Sequence, residues 1–181
     1  MKKLPKIINQ EEFEKLHAEA MKIESKATPR RKKRIKQYRV AMILAFDAGM
    51  RISEIVGLGD RIKRLQKNQI EGNSIRIISG KGKKDRIVPK PKRFNKAAID
   101  TLPLTISRRP LQDFVKKLGE KVLNKDISFH TLRHGFATHL INSGMPLHQV
   151  QMFMGHSRMD TTGIYLHSSP QEALNKYQEV F

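Results

Sequence analysis

One stretch of this chain breaks a helical pattern that runs through nearly all the rest, and it fixes the fold class. Residues 68–89, NQIEGNSIRIISGKGKKDRIVP, change period: β-branched clusters are interrupted at Gly72-Asn73 and again at Gly80-Lys81-Gly82. That pattern predicts two or three short antiparallel strands joined by tight turns. The flanking sequence reads as helix. Asn9, with Glu12 three residues on, is a capping-box pattern opening a helix through Phe13, Leu16, Ala20 and Ile23. The basic run TPRRKKRIK (28–36) forms the first turns of a second helix, exposed and suited to phosphate contact. It continues as the apolar YRVAMILAFDAGM and ends near Gly49, and a short helix, ISEIVGL, follows Arg51. Further helices are predicted in RFNKAAIDTL, in SRRPLQDFVKKLGEKVL, and after Ser128 in FHTLRHGFATHLINS, which stops at Gly144. PLHQVQMFM ends at a C′ glycine, Gly155, and SRMDTTGIYLHS is another helical candidate. The last helix is SPQEALNKYQEVF, about 169–181, where Ser169, Pro170 and Glu172 supply N-cap, N1 and capping box. The expected fold is one mainly α domain with a small antiparallel β-sheet, an α+β architecture.

Charge narrows the function classes. Thirty-six Lys and Arg against seventeen Asp and Glu leave +19, at a sequence pI near 10.4. A surplus of this size repels itself in the compact state unless a polyanion offsets it, and nucleic acid is the usual one. With no cysteine there is no disulfide framework and no thiolate metal site. No apolar run approaches the roughly 18 residues of a membrane span, and no secretory signal pattern opens the chain. These features fit a soluble cytoplasmic protein.

Residues 130–140, HTLRHGFATHL, crowd three histidines and an arginine into one predicted helix. His130 and His134 stand four apart, as two zinc ligands on a helix do. Such helices carry a glutamate beside the first histidine to act as general base, however, and Thr131 stands there. Arg133 would oppose a dication. His139 falls roughly 140° round the helix from His134, and the remaining acids, such as Asp126 and Asp160, form no carboxylate cluster for a two-metal site. The pattern favours a clamp for an anion: His130 and Arg133 share a face, and a guanidinium fork matches non-bridging phosphate oxygens.

The theme recurs along the chain. Arg51 lies between apolar Met50 and Ile52, with Glu54 as its available ion-pair partner. Lys81 sits at the apex of the GKGKK turn, where glycines allow close approach of a ligand. His156 follows the helix-ending Gly155, and nine residues later comes Tyr165, a phenol able to act as nucleophile when cations lower its pKa.

Taken together, AGMRISEIVGL (48–58), IISGKGKKDRIVP (77–89), HTLRHGFATHL (130–140) and MGHSRMDTTGIYLH (154–167) resemble the tyrosine recombinases, the phage-integrase and Xer-like site-specific DNA recombinases. The strings occur in the family's order, and PKIINQEEFEKL resembles the opening of its catalytic domain. The resemblance implies a DNA breaking-rejoining enzyme catalytic domain spanning residues 1–181, with the family's N-terminal DNA-binding domain not among them. It implies that Tyr165 attacks a DNA phosphodiester to give a 3′-phosphotyrosyl bond and a free 5′-hydroxyl. Arg51 and Arg133 would hold the non-bridging oxygens, His130 would serve as acid–base partner, and His156 would hydrogen-bond the phosphate. Lys81 would be the general acid for the leaving oxygen, and Glu54 would orient the first arginine. No metal or other cofactor is implied. The partner would be duplex DNA, with protomers assembling on it as a dimer or tetramer. None of the six catalytic positions is replaced; Met154 stands where leucine is common, a volume-conserving change. A type IB topoisomerase-like activity and a DNA-binding regulator that does not cut are the alternatives.

Overall fold

The computed structural model describes residues 7–78, 85–155 and 170–181. Helix α1 (Gln10–Ser25) starts as its sequence requires: Asn9 Oδ1 accepts from the Glu12 backbone N–H at 2.8 Å, and Glu12 Oε2 accepts from the Asn9 N–H at 3.2 Å. Helix α2 (Pro29–Phe46) begins in the basic run and becomes apolar on every side. Each residue from Val40 to Met50 is buried, so this is the central helix of the core and its lack of amphipathic period is a consequence. It lies between α1 and a later helix, α6 (Phe129–Asn142). Phe13 of α1 stacks on Phe46 of α2 with ring centroids 4.1 Å apart.

A short helix α3 (Ile52–Val56) follows the end of α2. The segment of changed period gives three strands, β1 (Ile70–Glu71), β2 (Ser74–Ile77) and β3 (Arg86–Pro89), in the order β1-β2-β3. Both pairings are antiparallel, with Ile75 opposite Ile70 on one side and Val88 on the other. Gly72 makes the first turn at a φ of 56°, while the turn at residues 79–84 lies outside the described residues. The helix predicted over RFNKAAIDTL contracts to α4 (Lys96–Ile99), because Asn95 caps it late: its Oδ1 accepts from the Ala98 N–H at 3.1 Å. Helix α5 (Arg108–Leu123) packs on α1, where Lys121 pairs with Glu19 and Lys125 with Glu12.

Helix α7 (Leu147–Met154) and helix α8 (Pro170–Val180) lie against β3. They form a second core with α6, in which Phe136, Leu140, Phe153, Leu174 and Tyr177 are buried together. Among the described residues no helix is long and apolar enough to cross a membrane. The fold is the α+β type read from the sequence, and the C-terminal ends of α2 and α7 meet beside α3 and α6.

Candidate active site

At that meeting point the chain places two arginines on one oxygen. Arg51 precedes α3, and its Nη2 donates to the carbonyls of Met154 and Gly155, each at 3.2 Å. Arg133, one turn into α6, donates through Nη2 to the same Met154 carbonyl and through Nη1 to the Gly49 carbonyl. Gly49 presents that carbonyl from a left-handed backbone at φ 63°, and a Cβ there would stand 2.4 Å from Phe136 Cδ1. Both conditions call for glycine. The two guanidinium groups therefore converge from different elements onto the last turn of α7.

Glu54 lies behind them. Its Oε2 accepts from the Arg51 backbone N–H at 2.8 Å, and its Oε1 from Arg51 Nη1 at 3.0 Å. Arg86 of β3 then grips the same carboxylate with Nη1 at 2.8 Å and Nη2 at 2.9 Å, and its Nε donates to the Phe153 carbonyl at 2.9 Å. One residue thus ties β3, α3 and α7 together. Gly155 makes room for it: its φ is 57°, and a Cβ would meet Arg86 Cδ at 2.7 Å.

The electrostatics are one-sided. Burial by itself raises the Glu54 carboxyl, but hydrogen bonds and charge from Arg86, with Arg51 behind, hold it at about 2. Arg133 is pulled down to about 9, by burial first and then by repulsion from Arg51 and Arg86. Three guanidinium groups against one carboxylate leave two positive charges at neutral pH. An anion at the Arg51 edge would relieve that repulsion, and the Arg51 side chain is the accessible one, 40% exposed against 9% for Glu54. A tetrahedral oxyanion matches two guanidinium forks set side by side.

His130 lies on α6 one turn before Arg133 and is exposed. Its Nε2 and that of His134 share a hydrogen bond of 2.8 Å, with the rings edge-to-face. The spacing that raised the question of a metal thus joins the two rings to each other. Among the described residues no three His, Asp or Glu side chains gather as a ligand set. Of the six residues singled out from sequence, the structure brings Arg51 and Arg133 together with His130 one helical turn away, whereas Lys81, His156 and Tyr165 lie outside the described residues. The chain's other two tyrosines are core residues: Tyr38 is 6% exposed and Tyr177 2%. Arg86 is the participant that sequence reasoning missed. Its signal was faint but present: period two along β3 puts it on the face of buried Val88, while apolar Ile87 turns to solvent.

Known proteins are similar to this chain in sequence and in fold. The profile of the phage integrase family matches residues 100–172. A tyrosine recombinase of Thermosipho africanus is 33% identical, over 78% of this chain and 53% of its own length. Tyrosine recombinase XerD of Staphylococcus aureus is 31% identical with the same coverage. The chain spans about half the length of the curated relatives it matches. Among solved structures, XerH site-specific recombinase bound to difH substrate superposes with a TM-score of 0.65 at 26% identity, covering 94% of this chain and 53% of that one. The integrase of mycobacterium phage Brujita reaches a TM-score of 0.72 at 19% identity, a likeness of fold, over 100% of this chain and 60% of that one.

Proposed function

This chain belongs to the phage integrase family of tyrosine recombinases, and from that premise we propose that its residues form the catalytic unit of a site-specific DNA recombinase. The observation that carries the reading is the convergence of Arg51 and Arg133 on the Met154 carbonyl, above a carboxylate that already has two cations. It is a site with unspent positive charge, shaped for the two non-bridging oxygens of a phosphodiester.

In the proposed reaction Tyr165 Oη attacks the phosphorus while the bond from phosphorus to the 5′-oxygen breaks. The tyrosine proton passes to His130, and Lys81 protonates the leaving 5′-oxygen. Arg51 and Arg133 balance the charge that builds on the non-bridging oxygens, and His156, next in sequence to Gly155, adds a hydrogen bond there. The reverse attack by a 5′-hydroxyl of another strand rejoins the DNA. The chemistry uses protons and fixed cations, and the proposal includes neither metal nor cofactor. Strand exchange needs more than one protomer, so the proposal extends to assembly on a DNA site, with cytoplasmic DNA as the substrate.

The test is covalent trapping on a nicked duplex whose short 5′-hydroxyl fragment diffuses away after cleavage. A protein–DNA adduct stable to denaturant is expected, formed equally well in EDTA. No adduct on any duplex, with binding intact, would favour a regulator that does not cut. Relaxation of supercoiled plasmid by single protomers would favour the topoisomerase alternative.

A further inference from the structure

Two histidines meet beside the arginine site, and the proposed reaction uses only one of them. His130 Nε2 and His134 Nε2 stand 2.8 Å apart, with the rings at 82° and their centroids separated by 4.2 Å. Ring nitrogens at that distance need one proton and one lone pair between them, because two N–H groups would clash and two lone pairs would repel. One ring therefore donates and the other accepts. The bond also decides which nitrogen of His130 is left to meet a substrate, and that is Nδ1.

The helix sets the order of the groups. At about 100° per residue, Arg133 falls about 60° to one side of His130 and His134 about 40° to the other. His130 thus stands between the guanidinium and the second imidazole. The two rings are not equivalent, since His130 is exposed and His134 half-buried. The next residue, Gly135, presses the backbone onto its neighbours: a Cβ there would stand 2.7 Å from both the Ile8 carbonyl oxygen and Phe46 Cε2. His134 is the anchored ring, and His130 is the one turned to solvent. His130 is also the second residue of α6, after the Ser128 N-cap. The positive end of the helix dipole and the charge of Arg133 both disfavour an imidazolium at that position. A neutral His130 is the form able to take up a proton.

We propose that His134 is a positioning residue for His130: it accepts the His130 Nε2–H and so holds His130 in the tautomer whose Nδ1 carries the lone pair. The assignment rests on the reading of Tyr165 as nucleophile and His130 as its base. On that reading the Tyr165 hydroxyl proton passes to His130 Nδ1 as Oη bonds to phosphorus. His130 then holds a proton on each nitrogen, and its Nε2–H still points at the His134 lone pair, which stabilises the imidazolium. The proton returns from Nδ1 to Oη when a 5′-hydroxyl attacks the phosphotyrosine.

The test uses the full chain with 15N-labelled histidine. In the free wild-type protein near neutral pH, His130 Nε2 should show the shift of a protonated ring nitrogen and Nδ1 that of an unprotonated one. A scalar coupling should link His130 Nε2 to His134 Nε2 across the hydrogen bond. Single-turnover adduct formation on a nicked duplex is then measured beside duplex affinity, with thermal melting to check folding. His134→Leu, which neither donates nor accepts, should slow adduct formation about 10–100-fold with affinity nearly unchanged, within the roughly 10²–10⁴ that a general base contributes. His134→Gln, whose Oε1 accepts at a similar reach, should recover most of the rate. In a His130→Gln background, His134→Leu should add nothing, because its effect runs through His130. A protonated Nδ1 on His130 in the wild type would overturn the proposal. So would a Gln variant as slow as the Leu one, an equal loss of affinity and rate in His134→Leu, or a slowing that persists without His130. Should His134→Leu fail to fold, the wild-type spectrum and the Gln variant decide the matter. A wild-type protein that forms no adduct counts against the cleavage reading, while its spectrum separately judges the hydrogen bond.

Discussion

Arg86 and Glu54 form a two-pronged pair, Nη1 to Oε1 at 2.8 Å and Nη2 to Oε2 at 2.9 Å, and each side chain is only 9% exposed. The same two oxygens also carry the Arg51 side chain and backbone. Arg86 therefore sets the position of Arg51 through a shared carboxylate, and the first prediction concerns it. Arg86→Ala leaves a buried carboxylate short of one cation and should cost about 3–5 kcal/mol in urea unfolding. Arg86→Lys keeps the charge but cannot fill both oxygens and still reach the Phe153 carbonyl. It should retain most of the stability and DNA affinity while slowing single-turnover adduct formation at least tenfold. Equal losses in affinity and rate for Arg86→Lys would mean that Arg86 merely supports the fold.

A second prediction follows from Glu54 itself. Its folded-state pKa of about 2 lies below the ordinary 4.5, so the stability it contributes is present above pH 4.5 and is lost as pH falls from there toward 2. A depression of that size corresponds to about 3 kcal/mol. Glu54→Gln should be less stable than wild type by an amount of that order at pH 7, and the gap should narrow by most of its size at pH 3. Denaturant unfolding at both pH values measures it. A gap independent of pH would show that packing, not ionisation, accounts for the loss.

The sequence exposed some of this and hid the rest for physical reasons. Helix starts were legible because caps are local: Asn9 with Glu12, and Ser128 with Thr131, are reciprocal hydrogen bonds three residues apart. The burial of α2 was legible in its unbroken apolar run. Arg51 was legible as a cation between apolar Met50 and Ile52, where pairing is obligatory, and Arg133 as the cation sharing a helix face with His130. Arg86 was legible only faintly, as a strand residue on the face of Val88, since its partner Glu54 is 32 residues away. The shared Met154 carbonyl is likewise a property of tertiary packing, joining residues 51, 133 and 154 from three elements.

Tyr165 is the proposed nucleophile, and the third prediction sets it against the chain's other two tyrosines. Tyr38 packs on Phe114, and Tyr177 donates its hydroxyl to the Asp47 carbonyl at 2.6 Å. Burial pushes the Tyr177 phenol well above its ordinary pKa, the wrong direction for an attacking phenolate. Tyr165→Phe should abolish the covalent adduct with binding nearly unchanged. Tyr38→Phe and Tyr177→Phe should still form it. An adduct in the Tyr165→Phe protein would end the assignment.

Lys81 is separable from Lys83 and Lys84 by chemistry. A general acid matters only while the leaving oxygen needs a proton, and a 5′-bridging sulfur needs none. Lys81→Ala should cleave the phosphorothioate substrate far faster than normal DNA, whereas Lys83→Ala and Lys84→Ala should weaken binding with no selective rescue. Rescue of either neighbour in place of Lys81 would move the role along the turn.

The last prediction concerns α8, which is seated on its own chain. Its Ala173, Leu174 and Tyr177 are buried against the α6–α7 core, Phe181 stacks on Tyr177 at 4.8 Å, and the Tyr177 hydroxyl reaches the Asp47 carbonyl at the end of α2. That carbonyl is four residues before Arg51, and Tyr165 is five residues before α8, so the docking of this helix bears on both the proposed phosphate cradle and the proposed nucleophile. Removing the large ring should be far worse than removing the hydroxyl: Tyr177→Ala should cost about 3–5 kcal/mol and Tyr177→Phe about 1 kcal/mol. Truncation after Ser168 should expose Phe136, Leu140 and Phe153 and lower the melting temperature by several degrees. Docking within one chain also makes the melting temperature independent of protein concentration, since no association is linked to folding. A melting temperature that climbs with concentration in the full chain, and stops doing so after truncation, would instead place α8 on a neighbouring protomer.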